Sequence, residues 1–111
     1  MEFNQVKLEI FTPEEFVHVL REEISKAGAG IIGFYDHCAS VTEVRGYWRP
    51  MQGASPCDGK IREISERWEC KVEVNCPREA VPGVIRAIRS VHPYEEPLIN
   101  IIPLANDIFM E

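Results

Sequence analysis

No run of this sequence approaches the roughly 18 consecutive apolar residues of a membrane-spanning helix. Its opening, MEFNQVKLEIF, interleaves charged with apolar residues and holds no apolar stretch of the secretory-leader kind. Basic residues are in deficit, with 12 Lys and Arg against 18 Asp and Glu and a net charge of −6. That balance argues against nucleic acid and anionic membranes, both of which favour basic patches. No C-x-x-C pair occurs among the four cysteines, Cys38, Cys57, Cys70 and Cys76, so neither a zinc knuckle nor a disulfide framework is expected. Reduced thiols, some of them buried, are the plain reading. A phosphate loop ending in Gly-Lys-Ser/Thr is missing, as is a G-x-G-x-x-G turn opening a helix. These absences lead to the expectation of a cytoplasmic protein with no nucleic-acid or membrane partner.

What remains is 111 residues, 45% hydrophobic and 27% charged, which fits one domain over residues 1–111. The sequence VKLEIF alternates Val6, Leu8 and Ile10 against Lys7 and Glu9, as a half-buried strand does. A helix is expected next: Thr12 as N-cap, Pro13 in the first turn and Glu15 completing a capping box. Phe16, Leu20, Ile24 and Ala27 recur at helical spacing, and Gly28 suits the stop. Residues 67–75, RWECKVEVN, form a second alternating strand, and CPREAVPGVIRAIRSV a second helix. A shift of 64 residues superposes Pro13 on Pro77, Glu15 on Glu79, Leu20 on Val84 and Ile24 on Ile88. Pro82 fits only if the regular helix begins there or bends.

Each unit then enters another apolar strand, IIGFYDHCASVTEV after Gly30 and LINIIPL after Pro97. The expected fold is therefore α+β, a ferredoxin-like sandwich: a duplicated βαβ with two helices on one face of a mainly antiparallel sheet, its two central strands parallel. Residues 44–65 read as an added hairpin and loop, turning at Gly46 and returning through Tyr47 to Arg49. The expected core comprises Val6, Leu8, Ile10, Phe16, Leu20, Ile24, Val72, Val74, Val84, Ile88 and Val91. The last strand, Leu98 to Ile102, is apolar on both faces apart from Asn100. One face suits the helices, and the other needs cover from a second subunit or a local segment.

Three stretches carry candidate chemistry. In HPYEEP, His92, Tyr94, Glu95 and Glu96 are suitable ligands for a divalent metal between two stiffening prolines. The same residues suit a helix-to-strand corner, with His92 at a helix C-terminus and the glutamates solvated. In YDHCAS, strand geometry sets Asp36 and Cys38 on one face and Tyr35 and His37 on the other, which weakens a Cys38–His37 nucleophile pair. His37 remains a candidate ligand in combination with His92. The turn-rich GASPCDG is read as a loop, and His18 as a helix-surface residue.

The blocks GFYDHCASVTEVRGYWRP, GASPCDGKIRE and VHPYEEPLINIIPL, together with FTPEEFVHVLREEISKAGAG, resemble the small domain inserted in bacterial NIF-three-like proteins. The chain looks like a stand-alone version of that insert. The H-P-Y-E motif is also similar to CutA, the divalent-cation-tolerance proteins, and more distantly to PII signalling proteins. The resemblance implies a ferredoxin-like fold that associates through hairpins and edges, commonly as a trimer. It does not imply hydrolase activity, because the family's dinuclear metal ligands sit on a flanking core for which 111 residues leave no room. The reading is a non-enzymatic, homo-oligomeric binding or regulatory module. The candidate ligand is a divalent ion, zinc or copper, held by His37, His92 and Glu96. A small enzyme using Cys38 with a histidine, or His92 with Glu95 or Glu96, is the alternative, and a protein-binding scaffold is the third.

Overall fold

Strict alternation produces the two central strands. In the computed structural model, which describes residues 2–110, β1 (Gln5–Thr12) buries every second residue. The long β3 (Ser65–Pro77) does the same from Cys70 onward. They pair antiparallel, Leu8 opposite Val74 and Ile10 opposite Val72. On the outside of β3 lies β2 (Ser40–Trp48), and on the outside of β1 lies β4 (Ile99–Pro103), giving the order β2-β3-β1-β4. Every pairing is antiparallel. The expected parallel central pair is therefore corrected. Each helical crossover joins two parallel strands, but a strand of the other unit lies between them and runs against both.

The 64-residue duplication extends to the turns. Pro13 and Pro77 each precede a single 3₁₀ turn, Glu14–Phe16 and Arg78–Ala80. Each turn feeds a helix at the same offset, α1 (Val17–Lys26) and α2 (Val81–Val91). Pro82 sits in the first turn of α2, where a missing N–H costs nothing. Thr12 is not an N-cap. It closes β1 with its side chain buried, and among the described residues its hydroxyl has no partner, so the capping box does not form. At the far end of α1, Gly28 at φ +107° allows the Ala29 N–H to reach the Ile24 carbonyl and the Gly28 N–H to reach that of Ser25. This is the paired-bond glycine stop.

Both helices lie on one face of the sheet. Leu20 and Ile24 from α1, and Val84 and Ile88 from α2, interlock with Val6, Leu8, Ile10, Val72, Val74 and Cys76. Phe16 and Val91, expected in this core, are only partly buried. Ala29, Cys70 and Cys76 join the buried set. The opposite face carries Lys7 paired with Glu73, and Lys71 beside the same carboxylate, so it is solvated by charge. Among the described residues no helix is long and apolar enough to cross a membrane.

Two segments differ from expectation. Residues 31–39 are not strand: Ile32 and Tyr35 exchange both backbone hydrogen bonds around Gly33 and Phe34, a tight two-residue turn. Gly46 is no turn, because β2 passes straight through it to Trp48. The first five residues of β3, Ser65–Glu69, pair only with Val44–Trp48, so the two strands project past β1 as a two-stranded arm. A short helix, α3 (Asn106–Phe109), follows β4.

Leu8 and Ile88 are fully enclosed between sheet and helices. Truncating either to alanine is expected to lower unfolding free energy by roughly 2–5 kcal/mol, against about 0.5 kcal/mol or less for His18→Ala on the exposed face of α1. Urea denaturation of the three variants checks this.

Candidate cleft beside the arm

The corner from α2 into β4 crosses the end of β1, and His92 fixes it there. Its Nε2 lies 2.6 Å from the Phe11 carbonyl oxygen, and its Nδ1 accepts the Tyr94 N–H at 3.1 Å. A ring that donates through one nitrogen and accepts through the other is neutral. Burial pushes the His92 pKa down, opposed by the Phe11 carbonyl and by Glu69, so neutrality holds at pH 7. A metal ion at His92 would have to displace one of those two bonds.

Tyr94 continues from this anchor. Its hydroxyl donates to Glu69 Oε2 at 2.6 Å, and its ring lies 6.1 Å from Trp48, tilted by 42°. Burial first, and the Glu69 carboxylate second, push the phenol far up, so it stays a donor. Glu69 lies on the arm, only 8% exposed. Its side chain runs over Gly46 on the neighbouring strand: a Cβ there would lie 1.7 Å from Glu69 Oε1. This close approach is what the glycine serves, and it explains a glycine inside a strand.

The loop at residues 49–64 folds back onto the arm. Trp48 Nε1 donates to the Asp58 carbonyl oxygen at 3.3 Å, Arg67 pairs with the Asp58 carboxylate, and Glu95 Oε1 accepts the Ser55 N–H at 2.9 Å. Glu95 therefore ties the loop to the corner. Arm, loop and corner enclose a cleft of about 630 Å³, walled by Phe11, Val44, Trp48, Met51, Tyr94 and Leu98, with Glu69, Glu95, Glu96 and Asp58 among its polar groups. Its size and mostly apolar walls are those of a small-molecule site.

His37, His92 and Glu96 do not converge. His37 sits on the 31–39 segment in a left-handed conformation (φ +58°), its Nδ1 2.9 Å from Asp36 Oδ1 and its Nε2 3.5 Å from Glu22 on α1. The Asp36 carboxylate, and then Glu22, hold its pKa above the usual histidine value. His92 is committed to Phe11 and Tyr94, while Glu96 lines the cleft. Among the described residues no three His, Cys, Asp or Glu side chains are placed to hold one metal ion. Cys38 directs its thiol to the Asp36 carbonyl oxygen at 3.7 Å rather than to a histidine. Cys70 and Cys76 are buried, with pKa values raised chiefly by desolvation. Sequence reasoning missed Glu69, Trp48 and Gly46 as one site. The available signal was Gly46, a glycine in an alternating segment, which marks close approach as well as a turn.

The fold is the ferredoxin-like arrangement of CutA structures. The divalent cation tolerance protein Cut A1 from Thermus thermophilus matches with a TM-score of 0.67 at 21% identity, over 91% of this chain and 84% of that one. CutA from Archaeoglobus fulgidus matches at 0.68 and 16% identity, over 91% and 84%. In sequence the chain is related to longer proteins. It is 37% identical over 98 residues to the GTP cyclohydrolase 1 type 2 homolog of Bacillus subtilis (strain 168), 88% of this chain and 26% of that protein. It is 40% identical over 95 residues to that of Mycobacterium leprae (strain TN), 86% and 25%. A Bacillus cereus protein related to NIF3 superposes with a TM-score of 0.82 at 30% identity, over 94% of this chain and 26% of that one. No family model matches the chain. The chain is a relative of one segment of these NIF3-related proteins and spans about a quarter of their length.

His92→Ala leaves the Phe11 carbonyl and the Tyr94 N–H without their partner, and a loss of about 1–3 kcal/mol is expected. With the folded pKa below the unfolded one, the unfolded chain binds more protons as pH falls below about 6.5, so wild-type stability declines there. His37, shifted the other way, contributes stability that is lost as pH rises through its raised pKa. Subtracting the His92→Ala stability profile between about pH 5 and 8 from that of wild type isolates the His92 part. Calorimetric titration with zinc at about pH 7.5, where an unperturbed histidine is neutral, is expected to be the same for both proteins. A roughly tenfold weaker affinity in the variant would restore His92 as a ligand.

Proposed function

We propose that this chain is a non-enzymatic binding or regulatory module whose ligand site is the cleft between arm, loop and corner. One observation carries the reading: the H-P-Y-E-E-P segment spends its polar groups on building that cleft. His92 secures the corner, Tyr94 holds Glu69, and Glu95 clamps the loop. An acid–base role for His92 with Glu95 or Glu96 would need a ring nitrogen that is already bonded. The relatives' printed name, GTP cyclohydrolase 1 type 2 homolog, belongs to proteins of which this chain matches about a quarter. Binding rather than hydrolysis is accordingly the activity proposed for this part. Fragment screening by protein-observed NMR tests the site. Small aromatic fragments should shift the Trp48 indole and Met51 methyl resonances, and Ala54→Trp, which fills the cleft, should abolish those shifts. Shifts confined to other surfaces would refute the reading.

We propose further that the module acts as a homo-oligomer, a trimer by the resemblance to CutA-like domains. Leu98, Ile101 and Ile102 around the β4 edge are exposed, as are Tyr47 and Trp68 on the arm. An edge strand bearing exposed apolar side chains invites pairing. Sedimentation velocity at micromolar concentration is expected to give a three-chain species. A monomer throughout that range overturns the assembly.

A further inference from the structure

We infer that the cleft selects a small organic cation, an ammonium, amidinium or guanidinium group carried on an apolar body. The inference rests on the reading of the cleft as a ligand site and adds the chemistry of its occupant. Glu69 supplies the first part. The residue is 8% exposed, and Tyr94 donates only to Oε2. No donor among the described residues reaches Oε1, which lies over Gly46 where any larger residue would displace it. Oε1 is not fully buried and Glu69 lines the cleft, where a charged N–H donor bonds a carboxylate more strongly than a neutral one does.

The surroundings agree in sign. Four carboxylates line the cleft, Asp58 already paired with Arg67, against two guanidinium groups, Arg45 and Arg49. Arg45 is already engaged by Glu66 and stacks on Trp68 at 4.8 Å. Arg49 is exposed at the end of the arm. Trp48 and Tyr94 both line the same space, and aromatic rings there suit a cation held on an apolar frame. A phosphate-bearing ligand meets the opposite: Glu69, Glu95 and Glu96 repel it.

Trp48 itself reports occupancy. In a Trp68→Phe background it is the remaining tryptophan of the two in the chain. Benzamidine, neutral benzamide and benzoate share one ring and differ in charge. Benzamidine is expected to change Trp48 fluorescence saturably, with benzamide and benzoate weaker by about tenfold or more, which is 1.4 kcal/mol. Glu69→Gln, which still accepts from Tyr94, should weaken benzamidine by a similar factor and leave benzamide unchanged. Gly46→Ala moves the carboxylate without altering charge and should do the same. Thermal melts establish that each variant folds. Should neither fold, the wild-type ranking of the three probes decides alone. Benzamide or benzoate binding as tightly as benzamidine, or Glu69→Gln retaining benzamidine, overturns cation selection while the cleft stands. If none of the three probes perturbs Trp48, both the cleft reading and this inference fall.

Discussion

The imidazole of His92 is the point on which the site depends. The chain leaves α2 and must enter β4 on the far side of β1, so it has to cross the end of that strand. At this crossing the Phe11 carbonyl and the Tyr94 N–H both need partners, and one neutral ring supplies both. Prolines at 93 and 97 reduce the conformational freedom of the connection. Tyr94 is thereby presented to Glu69, and Glu95 to the loop. Release of the ring would free the cleft wall and the entry to β4 together.

Duplication accounts for the frame and not for the site. The two units share a strand, a proline, a 3₁₀ turn and a helix at a constant offset of 64 residues. Their apolar positions therefore fall on one face of one sheet. The cleft arises where the units differ: the arm and loop between β2 and β3 have no counterpart after β4, and the corner after α2 has none after α1. After α1 the chain makes the tight turn at Gly33 and Phe34 instead, leaving Ile31, Ile32, Phe34 and Tyr35 exposed.

Legibility in the sequence followed the range of the forces involved. Alternation in VKLEIF and KVEVN, and helical spacing in the two amphipathic segments, are local consequences of burial, and the sheet and core could be read from them. Residues 31–39 are equally apolar but form a turn, because side-chain hydrophobicity does not distinguish a strand from an exposed loop. Thr12 followed by Pro13 and Glu15 matches a capping pattern. Antiparallel pairing of Thr12 with Cys70 kept it in the sheet instead. The H-P-Y-E-E-P segment was recognisable as a corner or a ligand set, and the decision needed the position of Phe11, which is 81 residues away in sequence. Glu69 looked like one more exposed strand residue. Only the registration of Gly46 near it, and of Tyr94 above it, makes it a buried acceptor.

One corner serves two surfaces, and this limits how they can influence each other. The loop that closes the cleft is joined to the rest by few polar contacts: Trp48 and Arg67 to Asp58, and Ser55 to Glu95. The core beneath is held instead by fully buried side chains. Residues 92–98 contribute Tyr94, Glu95 and Leu98 to the cleft and continue directly into β4, which carries exposed Ile101 and Ile102. A ligand bound in the cleft and a second copy paired along β4 would both act on residues 92–98. Where both occur, linkage is reciprocal: whatever factor a ligand adds to self-association, self-association adds to ligand affinity.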